Sequence, residues 1–289
     1  MTFNSGAQLD PNQVTDVRGR SYGGGRGIAV GGGGIGLVIA VVYLLLGGNP
    51  ADLAPSSGGA ANGPIGSQAT QECKSGAQAN ERTDCRIVGF VDSIQAYWKD
   101  EFAQQGQTYE PAQTIIFSDG VDTGCGPATT EVGPFYCPPD TTVYIDLGFF
   151  DELQSRFGAK GGPLAEGHVV AHEYGHHIQD LQGLLSGGGG GTGADSASVR
   201  TELMAYCYAG IWVNHAASTG FLKAPTKEQV GQALDAAAAV GDDRIQQKTQ
   251  GQVDPEGWTH GSAEQRQHWF TVGLQTGTPE SCDTFHNPI

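Results

Sequence analysis

Apolar positions along the chain fall into one continuous run followed by two kinds of periodic pattern. The run is 28–46, IAVGGGGIGLVIAVVYLLL, without a single charge. At about 1.5 Å per residue it is long enough to cross a hydrocarbon layer about 30 Å thick, so it predicts a transmembrane helix in spite of its glycines. Beyond it, Val91, Ile94, Trp98 and Phe102 recur every three or four residues and predict a helix over 87–105. Alternation of Val143, Ile145 and Leu147 predicts a short strand over 142–147, and 114–117 reads as a second. A long helical stretch covers 164–185, and glycines break it over 186–193. Three more helices are expected at 196–217, 227–246 and 262–275. The predicted class is α+β, a mostly helical domain with a small sheet placed ahead of its longest helix, the whole preceded by the transmembrane helix.

Charge and composition add an orientation. Residues 1–27 are polar and glycine-rich, with Arg18, Arg20 and Arg26 set against Asp10 and Asp16. Arginines precede the apolar run and Asp52 follows it. The positive-inside rule therefore expects a single-pass protein of the cell membrane, its N-terminus cytoplasmic and everything after residue 47 outside. Residues 47–72 are rich in Gly, Ala, Ser and Pro and read as a flexible linker. The folded unit is then 73–289, a size that suits one domain. Glycine reaches 46 of 289 residues, but in runs and without a strict period of three, which excludes collagen. A hydrophobic content of 38% supports one core and excludes a wholly disordered chain. The net charge of −16 repels phosphate backbones and argues against a nucleic-acid partner, while suiting a bound cation.

Six cysteines in loop-rich sequence suggest disulfides formed in an oxidising compartment, in agreement with the expected topology. No CxxC pair supports a cysteine zinc ribbon. Short spacing favours Cys73–Cys85 and Cys125–Cys137. Cys207–Cys282 remains and would tie a helix to the C-terminal tail.

The strongest chemical signal is His172-Glu173-Tyr174-Gly175-His176, an HExxH. Residues four apart on a helix share a face, so both imidazoles reach one ion from one side. Glu173, one step round, stands beside the open position and can take a proton from water there. His168 extends the spacing of four, but it would lie about 12 Å along the axis from His176, too far for one ion to hold all three. It is expected near the site or at the surface. His177 points about 100° away from His176 and reads as structural, hydrogen-bonded to backbone beside the site. His215 and His268 read as surface residues.

A catalytic zinc site needs a third protein ligand. The metzincin continuation fails, because Gln179 and Gln182 stand where it requires Gly and His. Glu202, on the next helix across a glycine loop, is the best donor and gives an HExxH-plus-Glu set of gluzincin type. Asp195, Asp180 and Glu166 compete with it. His260, in Thr259-His260-Gly261-Ser262, sits at a helix entry where Ser262 and Gln265 form a capping box. From there it either stabilises an oxyanion or serves the loop's own backbone.

Taken in order, several segments are similar to the bacterial putative neutral zinc metallopeptidase family of membrane-anchored HExxH proteins. They are Asp16-Val17-Arg18-Gly19, Gly133-Pro134-Phe135-Tyr136-Cys137-Pro138, Val143-Tyr144-Ile145-Asp146, Ala171 to Gln179, Glu202 to Cys207, Thr259 to Ser262, and Cys282-Asp283-Thr284-Phe285. The resemblance covers nearly the whole chain and implies a zincin-like fold, one Zn²⁺ and peptide or protein substrates. One position departs from it. The family's helix usually reads Glu-Leu-Gln-Ala-Asp-Cys, and here Tyr206 replaces the Asp. A carboxylate there commonly orients a zinc-bound histidine through its other ring nitrogen; Tyr206 can accept that hydrogen bond but supplies no charge.

The expected function is therefore a membrane-anchored zinc metallopeptidase. His172, His176 and Glu202 hold the ion, Glu173 is the general base that passes the proton on to the leaving amine, and His260 assists at the oxyanion. The competing expectation is a zinc-bearing envelope protein that has lost turnover and acts by binding partners. A metal-free structural domain is the third.

Overall fold

The structure, a computed structural model, describes residues 1–19, 70–185 and 190–289. Its chain order begins with β1 (Val14–Asp16), α1 (Gly76–Glu81) and α2 (Thr83–Gln104). Five strands follow: β2 (Gln113–Phe117), β3 (Gly120–Thr123), β4 (Gly126–Thr129), β5 (Phe135–Cys137) and β6 (Thr142–Asp146). The remainder is helical: α3 (Gly148–Ser155), α4 (Pro163–Leu181), α5 (Ala197–His215), α6 (Lys227–Ala239), α7 (Asp242–Gln250) and α8 (Ala263–Thr276).

A four-stranded sheet has the order β1-β2-β6-β5, parallel except for the antiparallel edge strand β5. Its two faces are sorted by alternation. Ile116, Tyr136, Val143 and Ile145 enter the core shared with the helices. Phe117, Phe135, Cys137 and Tyr144 face the β3–β4 hairpin, where they meet Val121 and Ala128. With both faces covered, every residue of β6 is buried.

Helix boundaries follow local chemistry. Pro163 occupies the first turn of α4, where its missing N–H costs nothing. Ser196, Thr226 and Ser262 cap α5, α6 and α8 by accepting backbone N–H groups, and Thr226 and Ser262 form full capping boxes. The helix expected over 227–246 is two helices. Gly241 takes an extended conformation at the break, because a Cβ there would collide with the backbone of Ala263. Helices α5 and α8 approach so closely that a Cβ at Gly210 would meet the Phe270 carbonyl, and one at Gly273 the Cys207 carbonyl. Disulfides join Cys73 to Cys85, Cys125 to Cys137 and Cys207 to Cys282, with Cα separations of 4.9, 5.9 and 5.6 Å, ordinary for such bridges.

The expected transmembrane helix at 28–46 lies outside the described residues, and among the described residues no helix is long and apolar enough to cross a membrane. The segment ahead of that run overturns the anchored topology. Met1, Phe3, Leu9 and Val14 are buried in the same core as α2 and α5. Phe3 packs on Phe90 at 5.1 Å between ring centroids, and β1 pairs with β2 from Val14↔Thr114 to Asp16↔Ile116. Arg18 reaches Asp84 at 3.4 Å. A single crossing between them would put residues 1–19 and 70–289 on opposite faces of a bilayer, whereas these contacts hold them on one. The fold class is α+β, no transmembrane helix precedes it among the described residues, and residues 1–19 belong to the core.

Two consequences can be measured. Phe3 is fully buried, so Phe3→Ala should cost about 3–5 kcal/mol in chemical denaturation of the full chain. A peripheral tail would give no change. The second concerns Asp92 of α2, whose carboxylate accepts from the Asp10 N–H at 2.8 Å and from Gln13 Nε2 at 2.7 Å. Burial raises its carboxyl to about 7, against the Asp10 hydrogen bond, which favours the charged form. The native chain then binds a proton that the unfolded chain has already lost, so stability should fall as pH rises from about 4 to 7. The cost reaches at most about 4 kcal/mol, and the curve should level off above that range. In Asp92→Asn, urea denaturation across this range should show that slope removed.

Candidate metal centre

The core of α4 delivers His172, Glu173 and His176, and α5 delivers Glu202 against them. The two helices meet where Gly175 faces Ala205, so closely that a Cβ at Gly175 would stand 3.0 Å from the Ala205 backbone. Across it Glu202 Oε2 lies 3.2 Å from His172 Nε2, and Oε1 lies 3.5 Å from His176 Nε2. The ligand atoms of the three residues fall within 4.8 Å of one another. Their imidazole rings are edge to face at 4.8 Å.

His176 is oriented from behind. Gln179 Nε2 donates to the Thr201 carbonyl at 2.7 Å, which fixes the amide so that Oε1 accepts from His176 Nδ1 at 2.9 Å. With Nδ1 donating to Gln179, Nε2 is the ring nitrogen that faces Glu202. His172 has no such partner: its Nδ1 is buried without a hydrogen bond among the described residues.

Electrostatics divides the two histidines. Burial holds His172 down to about 4, with Glu202 opposing. Burial also works against a charge on His176, but Glu202 and Glu173 outweigh it and raise the ring to about 9. Burial opposes ionisation of Glu202, yet His176 and His260 hold its carboxyl well below the ordinary value. Glu173 is raised to about 8, first by burial and further by Glu202, with His176 and the Tyr136 backbone N–H pulling the other way. Two imidazoles and a carboxylate, with donor atoms this close, form a set that fits a single Zn²⁺. Glu173 adjoins the set without being one of its three donors.

The other expected residues take varied positions. Asp180 accepts from the Tyr136 hydroxyl at 2.8 Å, Glu166 pairs with Arg86 at 2.6 Å, and Asp195 is exposed, so none of the three joins the cluster. His168 is buried between Tyr206 and Phe270, at centroid distances of 5.2 and 4.9 Å. His177 faces away from the cluster: its Nε2 donates to the Glu110 carbonyl at 2.8 Å and its Nδ1 meets the Tyr136 hydroxyl at 3.1 Å. His215, expected at the surface, is half-buried, stacked on Tyr97 at 4.9 Å and bonded to the Gly277 carbonyl. His268 is exposed.

Tyr206 requires a correction. It does not take up the hydrogen bond of His172. Its ring lies on the His172 ring at 4.4 Å, and its hydroxyl accepts from Arg266 Nη1 at 2.7 Å. The phenol packs against the imidazole with the two planes tilted by 48°. His260 Nδ1 is engaged by the Thr259 hydroxyl at 2.8 Å, and its Nε2 makes no hydrogen bond among the described residues.

Sequence reasoning missed Gln179, Asp242 and Arg266. Gln179 was findable, since three residues beyond His176 on one helix puts its amide beside that ring. Asp242 Oδ2 accepts the N–H groups of Thr259, His260 and Gly261 at 2.8, 2.7 and 3.0 Å. Asp242 carries no local signal, because its partners lie 17 to 19 residues on, and the Tyr206 partner of Arg266 lies 60 residues away.

Comparison with known proteins agrees with this geometry. The pattern of a family described as "Putative neutral zinc metallopeptidase" matches residues 5–285. An uncharacterized protein of Mycobacterium tuberculosis is 52% identical over 222 residues, covering 74% of each chain. The uncharacterized protein YpfJ of Escherichia coli K12 is 36% identical over 290 residues, covering 97% of this chain and 98% of its own. No solved structure matches the chain. With a family pattern spanning almost its full length and the HExxH helix set against Glu202, the chain belongs to the putative neutral zinc metallopeptidase family.

Proposed function

We propose that the chain is a zinc-dependent peptidase of gluzincin type, with His172, His176 and Glu202 as the ligands of one Zn²⁺ and Glu173 as the general base. The observation that carries this reading is the meeting of the three donors within 4.8 Å, with a fourth, buried acid beside them. When bound, the ion supplies Lewis-acid chemistry, acidifying water and polarising a carbonyl. Everything else is asked of the chain. Glu173 takes a proton on its carboxylate as water attacks the peptide carbonyl, then returns it to the leaving amine. A cation at the donors favours the ionised form of Glu173, offsetting the burial that raises its carboxyl to about 8. The Tyr136 N–H, on the edge strand β5, favours the ionised form of Glu173. His260 Nε2 makes no hydrogen bond among the described residues, and the ring exerts an electrostatic pull on Glu202, which supports a role in donating to the developing oxyanion. The three disulfides support an oxidising, extracytoplasmic compartment for this chemistry.

A second reading keeps the zinc and drops the turnover, so that the protein works by binding partners. It is favoured by one observation: His172 Nδ1 lacks the hydrogen-bonded partner that commonly tunes a zinc-bound histidine.

Elemental analysis of the purified full chain should find about one zinc per wild-type chain and almost none in Glu202→Ala. Equal zinc in both would remove Glu202 from the site. In a peptide-library digest at saturating zinc, Glu173→Gln should keep its metal and lose about 10²–10⁴-fold in kcat. Full zinc without cleavage by the wild type would decide for the partner-binding reading.

A further inference from the structure

We propose that Arg266 is a positioning residue for the metal centre, coupling the orientation of the His172 ring to the placement of His260. The inference deepens the reading above and rests on it. Arg266 lies on the first turns of α8 and is only 3% exposed, yet it makes no ion pair among the described residues. A buried guanidinium is costly unless its donors are satisfied, and here only neutral oxygens satisfy them. Nη1 donates to the Tyr206 hydroxyl at 2.7 Å. Nε donates to the carbonyls of His260 at 3.1 Å and Gly261 at 3.3 Å. The guanidinium carbon stands 5.1 Å from the centre of the Tyr206 ring.

Those partners lead to the two halves of the site. Through Tyr206 the guanidinium braces the ring that covers His172 at 4.4 Å. His172 needs that brace, because its Nδ1 has no hydrogen bond and only packing and Glu202 fix the ring. Through its Nε, Arg266 holds the carbonyl side of the His260 turn, whose N–H side is taken by Asp242. The turn is thus gripped from both sides, and the grip on its carbonyls comes from the group that also supports His172. A planar fork of fixed donors serves three acceptors in these directions; the point charge of a lysine does not.

The test uses the full chain with Arg266→Met, Arg266→Lys and Tyr206→Phe, the last keeping the ring and removing only the hydroxyl. Zinc affinity is measured by competition with a chelator, and ligand geometry by the visible absorption of the cobalt(II)-loaded protein. Melting temperature serves as the control for plain structural damage. Arg266→Met should weaken zinc binding by about 10–100-fold and alter the cobalt bands, with Arg266→Lys recovering only part of the affinity. Tyr206→Phe should shift both readouts in the same direction by less. Wild-type affinity and unaltered cobalt bands in Arg266→Met, even with a lowered melting temperature, would reduce Arg266 to a core residue and overturn the proposal alone. Should Arg266→Met fail to fold, unchanged affinity and bands in Tyr206→Phe overturn it. A folded wild-type chain that takes up neither zinc nor cobalt overturns both this proposal and the peptidase reading.

Discussion

The carboxylate of Glu202 between two imidazoles of a neighbouring helix is the constraint around which the rest is arranged. It requires α4 and α5 to run in contact at the level of Gly175 and Ala205, where even a single added carbon would be tight. It also requires α5 to be fixed from its other side. Gly210 and Gly273 do this by bringing α8 against it, and Cys207–Cys282 fastens the same stretch to the C-terminal tail. A buried acid facing two buried rings is stable only while the charges balance. The low carboxyl of Glu202 and the raised ring of His176 express that balance as a proton held among three donors. A divalent cation would serve the same balance between one carboxylate and two imidazoles.

What could be read from sequence is what repeats at short range. The periodicity of Val91, Ile94, Trp98 and Phe102 marks α2, and the spacing of His172 and His176 marks a face of α4, because both are properties of one helix. Glu202 could be nominated only as an acid after a glycine loop; its approach to the rings depends on helix packing. Arg266 and Asp242 were invisible for the same reason, since their partners lie on other elements. The β3–β4 hairpin and β5 were missed because strands of three or four residues hold too few positions to show alternation.

The N-terminal segment shows how a strong local signal can mislead on topology. A long uncharged run preceded by arginines and followed by an aspartate satisfies the membrane rules on composition alone. Nothing in Val14-Thr15-Asp16 announces that it will extend a sheet whose other strands begin about a hundred residues later. The buried Asp16–Arg18 pair and the reach of Arg18 to Asp84 show where that segment's charges go: Arg18 answers carboxylates of the domain rather than a phospholipid surface. The same arginine that counted toward the positive-inside rule is a structural ion-pair partner, and counting charges without partners cannot tell the two apart.

Tyr206 links these strands of argument. An acid at that position would add a third carboxylate beside Glu202 and Glu173, and an arginine as deeply buried as Arg266 would neutralise it. With tyrosine there, the arginine keeps its place and turns its donors to a phenol and two carbonyls. His172 Nδ1 has no hydrogen bond among the described residues, and the tilted tyrosine ring packs beside it. The imidazole is then held by shape rather than by a directed bond, so its orientation depends on how firmly the tyrosine itself is held. That dependence carries the support of the metal centre one step outward, from the residue that touches the histidine to the buried charge behind it.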